Sequence, residues 1–294
     1  MIGHLIYTYD KIDDARILQE ISRENITKSL GKIYLVHAYN GLPSFSYRMY
    51  LEDKLIKKSN RGHFKGAADL INTGIAEMKK NKDIDFAIVT ASDIWPLKAS
   101  FLKRVIDTMR NEDKYIATCA WNNRGLAGYD PDYNMNPFNM GFAVDFFILN
   151  VSMERKLNIF PIPYDNIIKK FADIKLFFSG TAVYLEEALA YQYAKKFSQL
   201  YRDDHLYKVN MISHIYCIKE REPIFEKTRD GRWVRRMEWG NIGLYTYHDD
   251  NVQGKKSALQ RYKIKRGRNI QKLLLANQPD YYNQYARRKP SKSL

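Results

Sequence analysis

The chain is poor in cysteine. Cys119 and Cys217 are the only two in 294 residues, and they form no CxxC spacing. That excludes a disulfide framework or a cysteine zinc cluster and points to a reducing compartment. Long apolar runs are missing as well, and none approaches the roughly 20 residues of a membrane-spanning helix. The opening MIGHLIYTYD is too short and too polar for a signal peptide. The expectation is a cytoplasmic protein, at most peripheral on a membrane face. No internal repeat is visible. Acidic residues are in deficit, 33 Asp and Glu against 48 Lys and Arg, which leaves +15. Such an excess favours polyanions: nucleotides, nucleic acid or an anionic membrane surface. No RRM, zinc-finger or helix-turn-helix pattern accompanies it, so a nucleic-acid-binding module has only charge and aromatics behind it.

What is present is an ordinary globular composition, 45% hydrophobic and 28% charged. The length suits one large α/β domain or two small ones. Leu5 to Tyr9 reads as a strand from its apolar and aromatic run, followed by Asp10, Asp13 and Asp14 and a helix carrying Ile17, Leu18 and Ile21. Ile33 to His37 reads as a buried strand ending in a turn at Asn40-Gly41. NRGHFKGAADLINTGIAEMKK, residues 60–80, reads as a helix opened by Gly62, with Ala67, Leu70, Ile71 and Ile75 at helical spacing. Phe86 to Val89 is a third strand, running into a turn that presents Asp93. A helix at Leu102 to Met109 and a strand at Tyr115 to Ala120 follow. Strand and helix alternate, the pattern of a parallel sheet wrapped by helices with ligands at the carboxyl ends of its strands. Asp93 stands at such an end; a helix-capping role is the plainer alternative.

Beyond Ala120 the texture changes. WNNRGLAGYDPDYNMNPFNMG is a long loop rich in Asn, Gly, Pro and Tyr, a composition usual for functional loops or for surface excursions. Gly141 to Asn150 is strand-like, with Asp145 in its middle needing a partner if buried. Residues 185–195 fit a helix with Glu186 and Glu187 near its start, where acids also suit the helix dipole. VNMISHIYCIK reads as a strand carrying His214, and GLYTYH as one ending at His248. The chain from Lys255 onward is basic and ends in a stretch expected to be disordered.

The order of these parts resembles a GT-A glycosyltransferase over roughly residues 2–250. The resemblance is carried by the first strand and its loop, by Asn60-Arg61-Gly62-His63 with Gly66-Ala67-Ala68 and Asn72-Thr73-Gly74, by Ala91-Ser92-Asp93 at the place of the DxD motif, and by Leu185-Glu186-Glu187, which resembles the xED-type base motif. The first carboxylate of DxD is replaced by Ala91.

The resemblance implies a Rossmann-like α/β fold with a central, mostly parallel sheet. It implies a transferase domain at 1–254, divided into a nucleotide-sugar half, 1–120, and an acceptor half, 121–254, with a basic tail at 255–294. It further implies a nucleotide-sugar donor, UDP-sugar favoured, and a divalent cation, Mn²⁺ or Mg²⁺, held by Asp93 and His248. His214 is the alternative ligand, but it sits within an apolar strand, whereas the polar HDDNVQGKK begins at His248. Donor contacts are assigned to Thr8, Tyr9, Asn60, Gly62, His63, Asp93 and Lys255, and acceptor contacts to Trp95, Trp121 and Asp145. Glu187 is the catalytic base, with Glu186 a quarter-turn away on the helix as alternative. The acceptor is a glycan or lipid-linked saccharide, or a modified base in DNA, which the positive charge also fits. A nucleotidyltransferase would want a phosphate-gripping loop after the first strand; here that loop is the acidic YDKIDDAR.

Overall fold

A computed structural model describes residues 1–9, 11–41, 47–92, 94, 96, 99–120, 142–172, 185, 188–189, 192–193, 215–217, 224–227, 233–239 and 244–248. Its centre is a seven-stranded sheet of β1 (Ile2–Thr8), β2 (Ile33–Tyr39), β3 (Lys54–Lys57), β4 (Phe86–Ala91), β5 (Ile116–Ala120), β6 (Phe142–Asn150) and β7 (Ile215–Cys217). The strand order is β3-β2-β1-β4-β6-β5-β7. β6 runs antiparallel to both β4 and β5, and every other pairing in the sheet is parallel. The mostly parallel α/β fold expected from the sequence is therefore present. β1 and β4 are buried along their whole lengths, as near-continuous apolar strands covered on both faces must be.

Helices cover the two faces. After β1 the chain forms α1 (Ile12–Ile21), a π-helical turn at Ser22–Ile26, and α2 (Thr27–Leu30), closed by Gly31 at φ +80°. α3 (His63–Lys80) packs over β1 and β2, and α4 (Ala99–Asn111) packs beside α2. The alternation of β1 assigns its residues to the two sides. A side chain at Gly3 would meet Met78 of α3 at 2.8 Å, and one at Gly74 of α3 would meet Leu5 at 2.3 Å. His4, between them, turns the other way to Ser22 Oγ of the π-helical turn and to Thr90 Oγ1, both at 2.9 Å. Odd-numbered residues of β1 thus face α3, and even-numbered ones face α1.

Several expectations change. The first strand starts at Ile2 and ends at Thr8, leaving Tyr9 outside it, and Asp13 and Asp14 belong to the first turn of α1. β3 was unforeseen because an exposed four-residue edge strand, KLIK, shows no burial pattern. α5 (Val151–Leu157) and α6 (Tyr164–Ala172) were also unforeseen. α5 is short and is opened by Asn150, whose side chain accepts from Met153 N. GLYTYH does form a strand, β10 (Leu244–His248), but not in the central sheet. It pairs with β9 (Trp233–Trp239), which pairs with β8 (Ile224–Lys227), in a separate antiparallel sheet.

A buried ion pair organises part of the core. Glu154 of α5 is fully buried and accepts from Lys79 Nζ at 2.9 Å, Tyr115 Oη at 2.7 Å, Phe160 N at 3.1 Å and Ile159 N at 3.2 Å. It ties α3, the start of β5 and the chain after α5 together.

Candidate functional site

The direction in which strands are added reverses after β3. From β1 the chain adds β2 and β3 on one side, then crosses back to place β4 on the other. The carboxyl ends of β1 and β4 flank that switch point, where open α/β sheets bind ligands. Thr8 ends β1 there. Its hydroxyl is buried, with the residue 2% exposed, and has no hydrogen-bond partner among the described residues. Asn40, just past β2 and 3% exposed, likewise has its Oδ1 without a partner. A buried acceptor and a buried hydroxyl left unmatched at a switch point are open partners for water, an ion or a ligand. The two strand ends are joined by Asn40 N donating to Thr8 O at 3.2 Å.

β4 ends in a tight turn. Ser92 N donates to Tyr7 O at 3.2 Å, and Ile94 N closes the turn on Ala91 O at 3.1 Å. Asp93 is the residue between them in the chain and lies outside the described residues, as do Trp95, Trp121, Glu186, Glu187, His214 and Lys255. The backbone is described at His63, which opens α3, and at His248, which ends β10; their side chains are not. Leu185, Ala188, Leu189, Gln192 and Tyr193 are helical, as expected for 185–195, and buried.

The amino terminus of α3 approaches the same end of the sheet. A side chain at Gly66 would meet Asn40 Nδ2 at 2.6 Å and Asn60 Oδ1 at 3.3 Å, so Gly66 lets helix and strand end come together. Gly62 caps the helix at φ +96°, a conformation that suits only glycine well, and its N–H donates to Asn60 Oδ1 at 2.8 Å. This 18-residue helix directs its amino-terminal N–H groups and dipole toward the switch-point end of the sheet, an arrangement favourable to anions. Arg61, between Asn60 and Gly62, is otherwise committed. It grips Asp69 with two bonds, at 2.6 and 2.7 Å, and Asp165 with one, at 2.7 Å. Lys65 also reaches Asp165, at 3.1 Å. These cations hold the Asp165 carboxyl below its usual range, hydrogen bonding from Arg61 being the larger cause. Arg61, Asp69, Asn72 and Asp165 line a cavity of about 200 Å³ against Ile162 and Tyr164, between α3 and α6.

Asp145 is half-buried, the fourth residue of β6, at the switch-point end of the sheet. Its expected partner is Tyr7, whose Oη donates to Asp145 Oδ1 at 3.2 Å. The structure thus brings Thr8, the Ala91–Ile94 turn, the start of α3 and Asp145 to one end of the sheet. Tyr7, Asn40 and Ser92 belong with them, although from sequence Asn40 reads only as a turn residue, Ser92 only as part of Ala91-Ser92-Asp93, and Tyr7 was not singled out. Tyr7 reads as a core aromatic, and only its strand register reveals where its hydroxyl goes.

Between β2 and α1 lies a buried polar nest. Gln19 Nε2 donates to His37 Nδ1 at 3.2 Å and to Tyr47 Oη at 2.8 Å, and Tyr47 Oη donates to Glu52 Oε2 at 3.2 Å. The Arg16 guanidinium lies over the Tyr47 and Tyr50 rings. Burial, followed by the Arg16 charge, lowers the His37 pKa to about 3, so the imidazole is neutral.

Among the described residues no three His, Cys, Asp or Glu side chains gather in a way that would hold a metal ion. The oxygen donors at the switch point suit a hard divalent cation, which prefers carboxylate, phosphate and water oxygens.

No protein-family profile and no curated protein matches the chain. Solved structures do. The galactosyltransferase LgtC, in complex with donor and acceptor sugar analogues, is 9% identical over 74% of this chain and 73% of that one, with a TM-score of 0.43. The mannosyltransferase PcManGT from Pyrobaculum calidifontis, in complex with GDP-Man and Mn²⁺, is 12% identical over 66% of this chain and 51% of that one, at 0.36. S. aureus TarS is 12% identical over 54% and 30%, at 0.34.

Proposed function

We propose that this chain is a GT-A glycosyltransferase, moving a sugar from a nucleotide-diphosphate sugar to an acceptor hydroxyl with inversion. The observation that supports it most is the convergence at the β1–β4 switch point: Thr8 with its unmatched buried hydroxyl, the turn that carries Asp93, the start of α3, and Asp145. In this reading Thr8, Tyr9, Asn60, Gly62, His63 and Lys255 lie along the donor, and Trp95, Trp121 and Asp145 face the acceptor side. Residues 1–120 form the donor half and 121–254 the acceptor half, followed by the basic tail 255–294.

Bond cleavage builds negative charge on the diphosphate leaving group. Mn²⁺ or Mg²⁺, when bound, neutralises that charge. Asp93 would hold it, with His248 from the second sheet. The helix dipole and N–H groups at the start of α3 stabilise the same charge without an ion. Glu187 takes the proton of the attacking hydroxyl. The acceptor is a glycan or lipid-linked saccharide at the cytoplasmic membrane face, where the tail would meet anionic lipid. Among the described residues no helix is long and apolar enough to cross a membrane.

The test is a thermal-shift screen against UDP-, GDP-, CMP- and dTDP-sugars, with and without Mn²⁺, repeated on Asp93→Ala. A ligand that binds only the folded chain raises its melting temperature. Metal-dependent stabilisation by one donor, lost in the variant, is the expected result. Stabilisation by DNA and by no donor would transfer the protein to the nucleic-acid binders.

A further inference from the structure

Position 91, where the DxD motif has its first carboxylate, carries only a methyl group here. The sheet sets another carboxylate beside it. β6 runs antiparallel along β4 with Thr90 opposite Phe146, so the next step of the same register puts Asp145 beside Ala91. On the other side of β4, Tyr7 is the register partner of Ala91. Register partners share a face, and the alternation of β1 makes that the α3 face, toward the helix that brings its amino terminus to this end. Tyr7 Oη reaches from β1 across β4 to Asp145 Oδ1 at 3.2 Å and to Val144 O at 3.3 Å, donating its one proton to this pair. Strands lie about 4.8 Å apart, so the phenol must pass over residue 91, and a small side chain there leaves it room. The absent carboxylate at 91 and the one present at 145 are two sides of one arrangement.

We propose that Asp145 is a ligand of the divalent cation that carries the donor diphosphate, replacing the carboxylate missing at 91, and that Tyr7 is its positioning residue. This rests on the glycosyl-transfer reading above and moves Asp145 from the acceptor side to the donor phosphates. A hydrogen bond to a ligating carboxylate fixes its orientation. A carboxylate at this position adds to the charge that sets affinity for a hard cation.

The test titrates Mn²⁺ into the full chain in the presence of UDP, and separately of GDP, reading free Mn²⁺ by its electron paramagnetic resonance signal. Asp145→Asn keeps the side-chain shape and an acceptor for Tyr7. It is expected to weaken Mn²⁺ binding at least about tenfold while leaving the metal-free melting temperature unchanged, with Tyr7→Phe weakening it less. A wild-type chain that binds Mn²⁺ with nucleotide, beside an Asp145→Asn chain of equal affinity, overturns the assignment and leaves the transferase reading standing. A wild-type chain that takes up no Mn²⁺ with either nucleotide overturns the metal-assisted reading and the assignment together. If Asp145→Asn does not fold, Asp145→Glu decides: its longer reach must change Mn²⁺ affinity severalfold, and wild-type affinity overturns the proposal.

Discussion

Removing the Glu154 carboxylate tests the packing account where its stakes are highest. Four donors converge on this one fully buried group: an ammonium, a phenol and two backbone N–H groups. In Glu154→Ala the phenol of Tyr115, itself fully buried, and the N–H groups of Ile159 and Phe160 lose their acceptor at once. Each such orphan costs about 1–3 kcal/mol, and breaking a buried ion pair from one side costs about 3–5 kcal/mol. These losses overlap, because they are the loss of the same two oxygens. Lys79 is 22% exposed, so water recovers part of its share. A net loss of about 4–6 kcal/mol is expected, a large part of the roughly 5–15 kcal/mol that holds a domain folded. Glu154→Gln keeps one oxygen but points an NH₂ at donors, and should lose about half as much. Lys79→Met should cost least of the three. Urea unfolding followed by circular dichroism measures each as a midpoint shift at constant slope. A loss below about 1 kcal/mol in Glu154→Ala would show that the carboxylate is not the organising group described here.

Acid should weaken the fold through two buried histidines. Burial, aided by Arg23 for His4 and by Arg16 for His37, lowers both pKa values from 6.5 to about 3. The unfolded chain therefore binds more protons between pH 6.5 and 3, and stability present above 6.5 drains away as pH falls through that window. The loss is about 2 kcal/mol per histidine by pH 5, measurable as a falling urea midpoint from pH 8 to 5; a flat profile contradicts it. Gly74→Ala places a methyl carbon 2.3 Å from Leu5 Cδ1 in the α3–β1 contact. Overpacking of about 1–3 kcal/mol should outweigh a helix-propensity gain of about 0.5–1 kcal/mol, so the melting temperature should fall; a rise refutes the packing. Gly62→Ala forces a side chain into φ +96° and ψ 176°, a region open essentially to glycine alone, and should cost about 1–3 kcal/mol, as calorimetry would show.

The parts of the fold legible in sequence were those whose pattern is local. β1, β2 and β4 are continuous apolar runs, and α3 carries Leu70, Ile71 and Ile75 on one buried face. β3 was not legible because its edge position leaves KLIK half-exposed. The π-helical turn at Ser22–Ile26 was hidden because its reason is tertiary: it delivers Ser22 to His4 across the face of β1. β10 was read as a strand but not assigned to its sheet, since partners β9 and β8 are set by pairing that no single segment displays. For the site, Asp93 reads from sequence as a polar residue past a core strand and lies outside the described residues, whereas the link between Tyr7, Ala91 and Asp145 exists only in the register of three strands brought together from 138 residues apart.

The central claim is sugar transfer, and the most direct measurement is chromatography of the nucleotide released when the full chain is incubated with UDP-, GDP- and dTDP-sugars and Mn²⁺, with and without saccharide acceptors. The account predicts release of one nucleoside diphosphate, accelerated by acceptor, and slowed about 10²–10⁴-fold in Glu187→Gln, the range a positioned base contributes. Intact donors throughout, from a folded protein, would contradict it.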